Sequence, residues 1–560
     1  MNSVDKVDKK YGVIVIGGGP GGLAAAVEAS KTCDKVLLLE RSPQLGGILN
    51  QCIHNGFGLH MFKEELTGPD YAEKYIEKLQ DTRVVVLTQA MVLETTKQKQ
   101  VSFIHPKLGF VKVQAEALIV ATGCRERTRG AIGISGARPS GVFTAGAAQL
   151  FLNLDAKTVG KKVVILGSGD IGLIMARRMT LEGAKVLGVY EVMPYSGGLT
   201  RNIVQCLNDY DIPLHLSHTI TKIHGEKRVE AVTISKVDEN RQPIAGTEHT
   251  VECDTVLLSV GLIPENELNI EMGVDMNGRT NTPVLFDNME TSVPGVFACG
   301  NVAQVHDLVD FVSMEGIKAG AAAADYANGI KPSYTKTVRV EAGEHLLYVT
   351  PSQVRLGDDK KIVELFFRVS GIFGASSIQV VSGDTVIKEF KKEHLAPGEL
   401  EKIVLTKQQI AECSSIRIGV ASQNKHSEYQ VPVQTVDPDG SKHFVCTICP
   451  KGCSLTAKVQ NEQVEITGNA CPRGDVYGKQ EAVFPMRVVT STVKTEGFAH
   501  TFCVPVKTTA PIPKDKVAKA MQLINAVVVK NPAPRGAVVL RDILGLGVDV
   551  VLTKTLSQPI

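Results

Sequence analysis

One pattern occurs twice in this chain and leaves few folds open. From Tyr11 to Glu40, an apolar run (Val13 to Ile16) meets Gly17-x-Gly19-x-x-Gly22, then an Ala-rich segment, then a second apolar run ending in Glu40. From Lys162, the run Val163 to Leu166 meets Gly167-x-Gly169-x-x-Gly172, a helix-like segment Ile171 to Glu182, and the run Lys185 to Tyr190 ending in Glu191. Each reads as strand, turn, helix, strand. The first glycine permits the tight turn, the second lets backbone N–H groups approach a pyrophosphate, and the third lets helix and strand pack closely. The closing acid stands where a ribose hydroxyl is held. The glycines of the second unit lie 150 residues after those of the first. The spacing therefore predicts two dinucleotide sites. Glu191, with no arginine immediately after it, favours NAD over NADP at the second.

Composition excludes several function classes. At 560 residues the chain divides into about three or four domains of ordinary size. It is 43% hydrophobic with a net charge of +2, an ordinary globular balance without the charge signature of a nucleic-acid or membrane binder. No apolar run is long enough for a membrane span, and the opening MNSVDKVDKK lacks the apolar core of a signal peptide. Its twelve cysteines are scattered except for one late cluster, which points to a reducing, cytoplasmic setting with a metal or redox site.

Between and after the two units lie the segments that complete the sites. Leu45 to His54 (LGGILNQCIH) contains Gly47, Cys52 and His54. Asp70 to Gln80 reads as an amphipathic helix, and Val84 to Leu87, Val101 to His105, Phe110 to Val113 and Ala117 to Val120 as strands of a meander. The last ends in Ala121-Thr122-Gly123. Arg125, Arg127 and Arg129 read as a solvated charge run, with a grip on an anionic substrate or partner as the alternative. Thr255 to Val260 closes the inserted unit before Gly261. Thr291 to Asn301 (TSVPGVFACGN) then leads through His306 and Asp307 into a long helix, Leu308 to Ala327.

Two further regions follow. Strand-like runs between Thr337 and Ser422, broken by Gly and Pro, predict a small antiparallel β domain, a sandwich, without chemistry of its own. After a linker at Val436 to Gly440 come Cys446-x-x-Cys449-x-x-x-Cys453 and, later, Cys471-Pro472. Four thiolates in this order suit one [4Fe–4S] cluster, with tetrahedral zinc or two disulfides as alternatives; Pro450 and Gly452 fit either metal.

On Gly46 to Gly58 (GGILNQCIHNGFG) and Cys299 to Asp310 (CGNVAQVHDLVD), residues 11–335 resemble the two-dinucleotide NAD/FAD-dependent oxidoreductases of the pyridine nucleotide-disulfide oxidoreductase type. Within that family the likeness is to the branch found with anaerobic glycerol 3-phosphate dehydrogenases and, more remotely, to alpha subunits of sarcosine and amino-acid dehydrogenases. Residues 441–560 resemble a small cysteine-rich domain that accompanies this branch, usually as a separate chain, and the cysteine spacing is similar to the cluster loop of molybdopterin oxidoreductases with a shorter final gap. The resemblance implies FAD over Gly17, Gly19, Gly22, Glu40, Gly47, Thr122, Gly123, Gly300 and Asn301, and NAD(H) over Gly167, Gly169, Gly172, Glu191 and Gly261. Asn301 stands where the family has Asp, which keeps a hydrogen bond and loses a charge. The family's disulfide reductases carry two cysteines in the loop that here holds only Cys52. Cys52 reads either as a lone redox thiol or as a buried packing residue, and His54 as a proton relay or a loop hydrogen-bonder. With His306 these are the candidate catalytic residues; Cys446, Cys449, Cys453 and Cys471 are the candidate metal ligands.

The expected architecture is α/β. Two Rossmann-like domains of the glutathione-reductase type, 10–155 with 282–335 for FAD and 156–281 for NAD, precede a β-sandwich-like domain (336–436) and an α+β cysteine-cluster domain (441–560). The expected activity is hydride exchange between NAD(H) and FAD, with electrons passing to the cluster or to a partner flavoprotein dehydrogenase in an oligomer. The alternative is a self-contained NADH oxidase, or a peroxide or disulfide reductase acting on a small-molecule substrate through Cys52.

Overall fold

Apolar strands alternating with an Ala-rich helix bury on both faces only in a parallel sheet, and the first glycine unit forms one. The computed structural model describes residues 7–330, 333–357, 362–421, 431–449, 451–460 and 463–557. Ser422, Pro450 and the first six residues lie outside them. The chain divides into two units, Met1–Asn50, Phe57–Arg125 and Leu262–Glu428 in one, and Gln51–Gly56, Glu126–Gly261 and Tyr429–Ile560 in the other.

In the first unit the strands run in the order Val85–Leu87, Val36–Leu39, Lys10–Ile16, Gly109–Val120, Gln100–His105, Met91–Thr95, with Val296–Ala298 paired to Gly109–Val120. The pairs around Lys10–Ile16 are parallel. Where two runs were expected from Phe110 to Val120, one strand of 12 residues forms, because Val113, Ala115 and Ala117 point inward while Gln114 and Glu116 keep the alternation going. The mostly exposed edge strand Met91–Thr95 carries no apolar alternation and was not foreseen. Helix Pro20–Ala29 packs on helix Val309–Ala327, with Gly316 and Gly320 facing the first helix so closely that a β-carbon on either would lie 2.3 and 2.4 Å from the carbonyl oxygens of Gly21 and Ala25.

The same unit holds the β domain as a sandwich. A five-stranded sheet (Gln353–Leu356, Lys336–Ala342, Ser415–Ala421, Ser376–Ser382, Thr385–Lys392) faces a three-stranded one (Leu346–Thr350, Ile362–Val369, Glu401–Thr406) across one buried core that includes Val338, Leu365, Phe367 and Ile418. The larger sheet is mixed, since Lys336–Ala342 and Ser415–Ala421 run parallel. That departs from the all-antiparallel expectation, and strand alternation alone cannot report direction.

The second unit is built on an all-parallel sheet in the order Leu214–Leu216, Lys185–Glu191, Lys162–Leu166, Thr255–Leu258, Val142–Thr144. The C-terminal region has two cores of its own. One gathers Phe444, Cys446, Leu455 and Tyr477; the other gathers Val493, Val506, Ile524, Val550 and neighbours, with Leu181 of helix Asp170–Leu181 packed against it. Arg178 on that helix reaches Ser491 and Thr492 at 3.3 and 3.1 Å, and Asp209 pairs with Arg487 at 2.7 Å. The C-terminal region is thus bound to the second glycine unit by buried polar contacts as well as by apolar packing.

Candidate functional site

The two turns are built alike. Gly17 and Gly167 have φ +108 and +95, a region glycine alone enters freely, and a β-carbon on Gly22 would lie 1.8 Å from the Gly17 carbonyl oxygen. Gly19, by contrast, has nothing within 4 Å of where its β-carbon would be. That is the open, N–H-lined cradle a pyrophosphate needs at the start of helix Pro20–Ala29. At the second site Asp170–Leu181 starts after Gly169 in the same way.

The acids are also held alike. Glu40 accepts the N–H of Gly18 at 2.7 Å on one oxygen and that of Ser42 at 2.6 Å on the other. Glu191 accepts Ser168 N–H at 2.8 Å and Met193 N–H at 2.9 Å, and takes the Ser168 hydroxyl at 2.7 Å as well. Glu191 lies one residue further from its glycines than Glu40 does from its own. The register explains this: a bulge opposite Val163/Val164 inserts Leu187 into the strand, so that Leu166 pairs with Tyr190 as Ile16 pairs with Leu39. Glu40 keeps a lone pair on each oxygen for a ribose diol. Glu191 keeps one on the oxygen that takes Met193 and has its other oxygen occupied by the Ser168 N–H and hydroxyl, the latter a donor that a ribose hydroxyl can replace, so both sites fit a dinucleotide.

Other expected residues of the first unit converge on its turn. Gly46 N–H donates to the Gly18 carbonyl at 2.8 Å, and a β-carbon on Gly47 would lie 2.9 Å from Gly19 Cα. The Thr122 hydroxyl donates to the Glu265 carbonyl at 2.8 Å, and Glu265 N–H donates to the Gly123 carbonyl at 3.0 Å. Asn301 accepts His306 N–H at 3.1 Å. Gly300, at φ +75, donates its N–H to buried Glu315 at 2.9 Å; Gln304 donates to the same carboxylate at 3.0 Å, and His306 Nε2 lies 2.9 Å from it without hydrogen-bond alignment. Sequence reasoning missed Glu315, because a carboxylate inside a helix 15 residues downstream carries no motif. It also missed the β domain's contribution. Arg368 pairs with Asp307, Leu400 N–H donates to Asp307 at 2.7 Å, and Phe366 meets the His306 ring edge-on at 6.2 Å. The domain expected to lack chemistry therefore clamps the segment that carries His306.

Cys52 and His54 belong to the second unit. Asn153 donates to the Gln51 carbonyl at 2.9 Å, Gln51 to the Gly146 carbonyl at 3.0 Å, and Cys52 Sγ lies 3.9 Å from Gln149 Oε1. Burial pushes the Cys52 thiol up to about 12, so it rests protonated rather than as the thiolate that redox chemistry uses. Burial likewise pushes His54 down to about 4, with the Asn55 carbonyl opposing and Arg177 and Arg201 assisting. A base whose folded pKa lies below its unfolded value of 6.5 binds fewer protons when folded, so stability falls as pH drops from 6.5 to about 4. Denaturant unfolding across that window should show a loss on the order of 2 kcal/mol, and His54→Gln should flatten it.

Of the arginine run, Arg125 pairs with Glu267 at 2.7 Å on the surface, Arg127 N–H donates to the Gly261 carbonyl at 2.9 Å, and Arg129 binds the carbonyls of Ile134, Ser135, Gly136 and Ala137. Arg129 organises its own turn. In the cysteine loop, Cys446 N–H donates to the Cys453 carbonyl at 2.8 Å, and a β-carbon on Gly474 would lie 4.0 Å from Cys446 Sγ. Burial raises the Cys446 pKa, opposed by a backbone hydrogen bond from Ile448 and assisted by Cys449, Cys453 and Cys471. Among the described residues no three His, Cys, Asp or Glu side chains are arranged to hold a metal. No helix among the described residues is long and apolar enough to cross a membrane.

A family model described as pyridine nucleotide-disulphide oxidoreductase matches residues 11–327, and one described as a protein of unknown function matches 472–554. The chain is 25% identical over 317 residues to an opine oxidase subunit of Agrobacterium tumefaciens, covering 53% of this chain and 62% of that protein. It is 24% identical over 418 residues to a hydrogen cyanide synthase subunit of Pseudomonas protegens, covering 70% and 83%. It is 27% identical over 354 residues to the small chain of the NADPH glutamate synthase of Escherichia coli, covering 57% and 69%.

Proposed function

Because this chain belongs to the pyridine nucleotide-disulphide oxidoreductase family, the class of FAD- and NAD(P)H-dependent oxidoreductases, we propose that it is an electron-transferring subunit, with FAD at the Gly17 turn and NAD(H) at the Gly167 turn. The observation that carries this reading is the duplicated turn, each with its acid held by the same two backbone donors. When bound, the two cofactors supply hydride transfer. The chain's own part is to seat them. Gly19 and Gly169 bring N–H groups to the pyrophosphates, Glu40 and Glu191 take the riboses, and Gly300 and Asn301, braced by Glu315 and the Arg368–Asp307 pair, shape the flavin end.

The partner is a dehydrogenase of the glycerol 3-phosphate dehydrogenase kind, within an oligomer in a reducing, cytoplasmic setting. Relatives named as subunits of an opine oxidase and a hydrogen cyanide synthase, and as the small chain of a glutamate synthase, support a place in a complex. The spacing of Cys446, Cys449, Cys453 and Cys471 in the sequence supports a four-thiolate site for iron–sulfur, with zinc as the alternative. Its geometry stops short of a closed ligand set, so no electron-transfer step is assigned to it. Chemistry at Cys52 is the lesser reading, since burial keeps that thiol protonated.

Flavin reduction tests the assignment. NADH should bleach the flavin, Gly169→Asp should abolish bleaching with flavin retained, and Gly19→Asp should yield colourless protein. Cys52→Ser should leave the rate within about twofold of wild type, since a thiol held protonated contributes no nucleophile. The Glu191 carboxylate should favour NADH over NADPH by about tenfold or more through like-charge repulsion. Bleaching that survives Gly169→Asp sinks the site assignment. Iron, sulfide and zinc analysis of anaerobically purified protein decides what the cysteines hold.

A further inference from the structure

Gly452 stands between Cys449 and Cys453 at φ +58, and a β-carbon there would lie 3.3 Å from Thr200 Cβ. Thr200 opens the helix Thr200–Cys206. Just before it, Leu199 N–H donates to Asp170 Oδ1 at 2.8 Å, and Asn202 donates to the same oxygen at 2.8 Å. Asp170 is the residue after Gly169 in the second turn. The segment is tied to that turn at two more points: Gly197 N–H donates to Ser168 Oγ at 2.9 Å, and Ser196 Oγ donates to the Ser168 carbonyl at 3.3 Å. It has no slack, since a β-carbon on Gly198 would lie 2.8 Å from that carbonyl oxygen. Ser168 in turn gives both its N–H and its hydroxyl to one oxygen of Glu191, at 2.8 and 2.7 Å. Hydrogen bonds thus run from Ser196–Leu199 through Ser168 to the ribose acid, and Gly452 of the cysteine loop lies close enough to Thr200 that an added β-carbon would press on it, all inside the second unit.

We infer that the second dinucleotide site and the cysteine loop are coupled through Ser196–Thr200, so that occupancy of one changes the other. The inference rests on the dinucleotide reading of the Gly167 turn. A ribose diol competes for the Glu191 oxygen on which the Ser168 hydroxyl rests. Ser168 is also the acceptor that holds Gly197, so the segment shifts with it and carries Thr200 away from or toward Gly452. A coupling of this kind is reciprocal: what the dinucleotide does to the loop, the loop does to dinucleotide affinity.

The test uses the full-length flavin-containing protein, as purified and after chelator treatment, with NAD+ as the probe because it does not reduce the flavin. Binding is read by calorimetry, and iodoacetamide labelling of Cys449 and Cys453 by peptide mass spectrometry. Saturating NAD+ should change the labelling rates of the chelator-treated protein by about fivefold. Gly452→Ala, which presses on Thr200, should weaken NAD+ binding by about fivefold at unchanged flavin content. Thr200→Ala should keep NAD+ binding and bring the labelling rates with and without NAD+ together. NAD+ that binds the wild type without altering labelling, together with unchanged affinity in Gly452→Ala, overturns the coupling alone. Absence of NAD+ binding overturns the dinucleotide reading, and the coupling falls with it.

Discussion

Replacing Gly320 with valine will unfold the flavin-site half of the first unit or strip it of flavin. The helices Pro20–Ala29 and Val309–Ala327 meet through Gly21, Ala24 and Ala25 on one side and Gly316 and Gly320 on the other. A β-carbon on Gly320 would lie 2.4 Å from the Ala25 carbonyl oxygen and 3.0 Å from Ala25 Cα, both backbone atoms that cannot rotate away. Helix propensity alone argues the other way, since replacing a mid-helix glycine by alanine gains about 1 kcal/mol. Overpacking a core contact costs about 1 to 3 kcal/mol and more where backbone must move, so the clash wins. Valine adds two more methyl groups. Moreover, Pro20–Ala29 begins at the Gly19 turn, so separating the helices displaces the proposed pyrophosphate seat. Expected results are a loss of about 3 kcal/mol or more in unfolding followed by flavin fluorescence, and substoichiometric flavin after purification. Gly278→Ala, where a β-carbon meets nothing within 4 Å, is the control and should change stability by less than about 0.5 kcal/mol. A Gly320→Ala protein more stable than wild type would show that the close helix approach is wrong.

Arg487→Met should be nearly as damaging to the second unit. Arg487 donates to Asp209 at 2.7 and 3.0 Å and to Glu481 at 2.7 and 2.8 Å, and Lys514 adds a contact to Asp209 at 2.8 Å. The side chains of Asp209 and Glu481 are only 8% and 6% exposed. Burial by itself would raise the Asp209 carboxyl; the bonds from Arg487 and Lys514 outweigh it and hold the pKa below the usual value. Methionine keeps most of the volume but leaves Glu481 without its bidentate partner and Asp209 with Lys514 alone. Removing one member of a buried ion pair costs about 3 to 5 kcal/mol. Asp209 sits beside the second glycine unit and Arg487 in the C-terminal region, so the loss should appear as faster proteolysis within residues 431–557. Flavin content, with the flavin proposed to sit at the Gly17 turn in the other unit, should be untouched. Protease resistance equal to wild type would mean that the apolar packing around Leu181 and the Arg178 contacts secure the C-terminal region without Arg487.

The two dinucleotide units were legible because everything that defines them lies within about thirty residues of chain: apolar strands, glycines at fixed spacing, and a terminal acid. The same locality made the sandwich strands and the helix Val309–Ala327 readable from alternation and composition. Tertiary structure decided the rest. The bulge at Leu187, which restores Glu191 to the place Glu40 holds, depends on pairing between strands and leaves no mark on composition. Glu315 under Gly300, Arg368 against Asp307 and Thr200 against Gly452 join residues from different elements, and a motif cannot record a partner that folding alone brings near. Cys52 shows the division most plainly. Sequence placed a lone thiol in a glycine-rich loop and left its role open between redox thiol and packing residue. Burial then raised its pKa to about 12, because desolvation disfavours the thiolate, and how deeply a side chain is buried is settled by the whole fold and not by its neighbours in the chain.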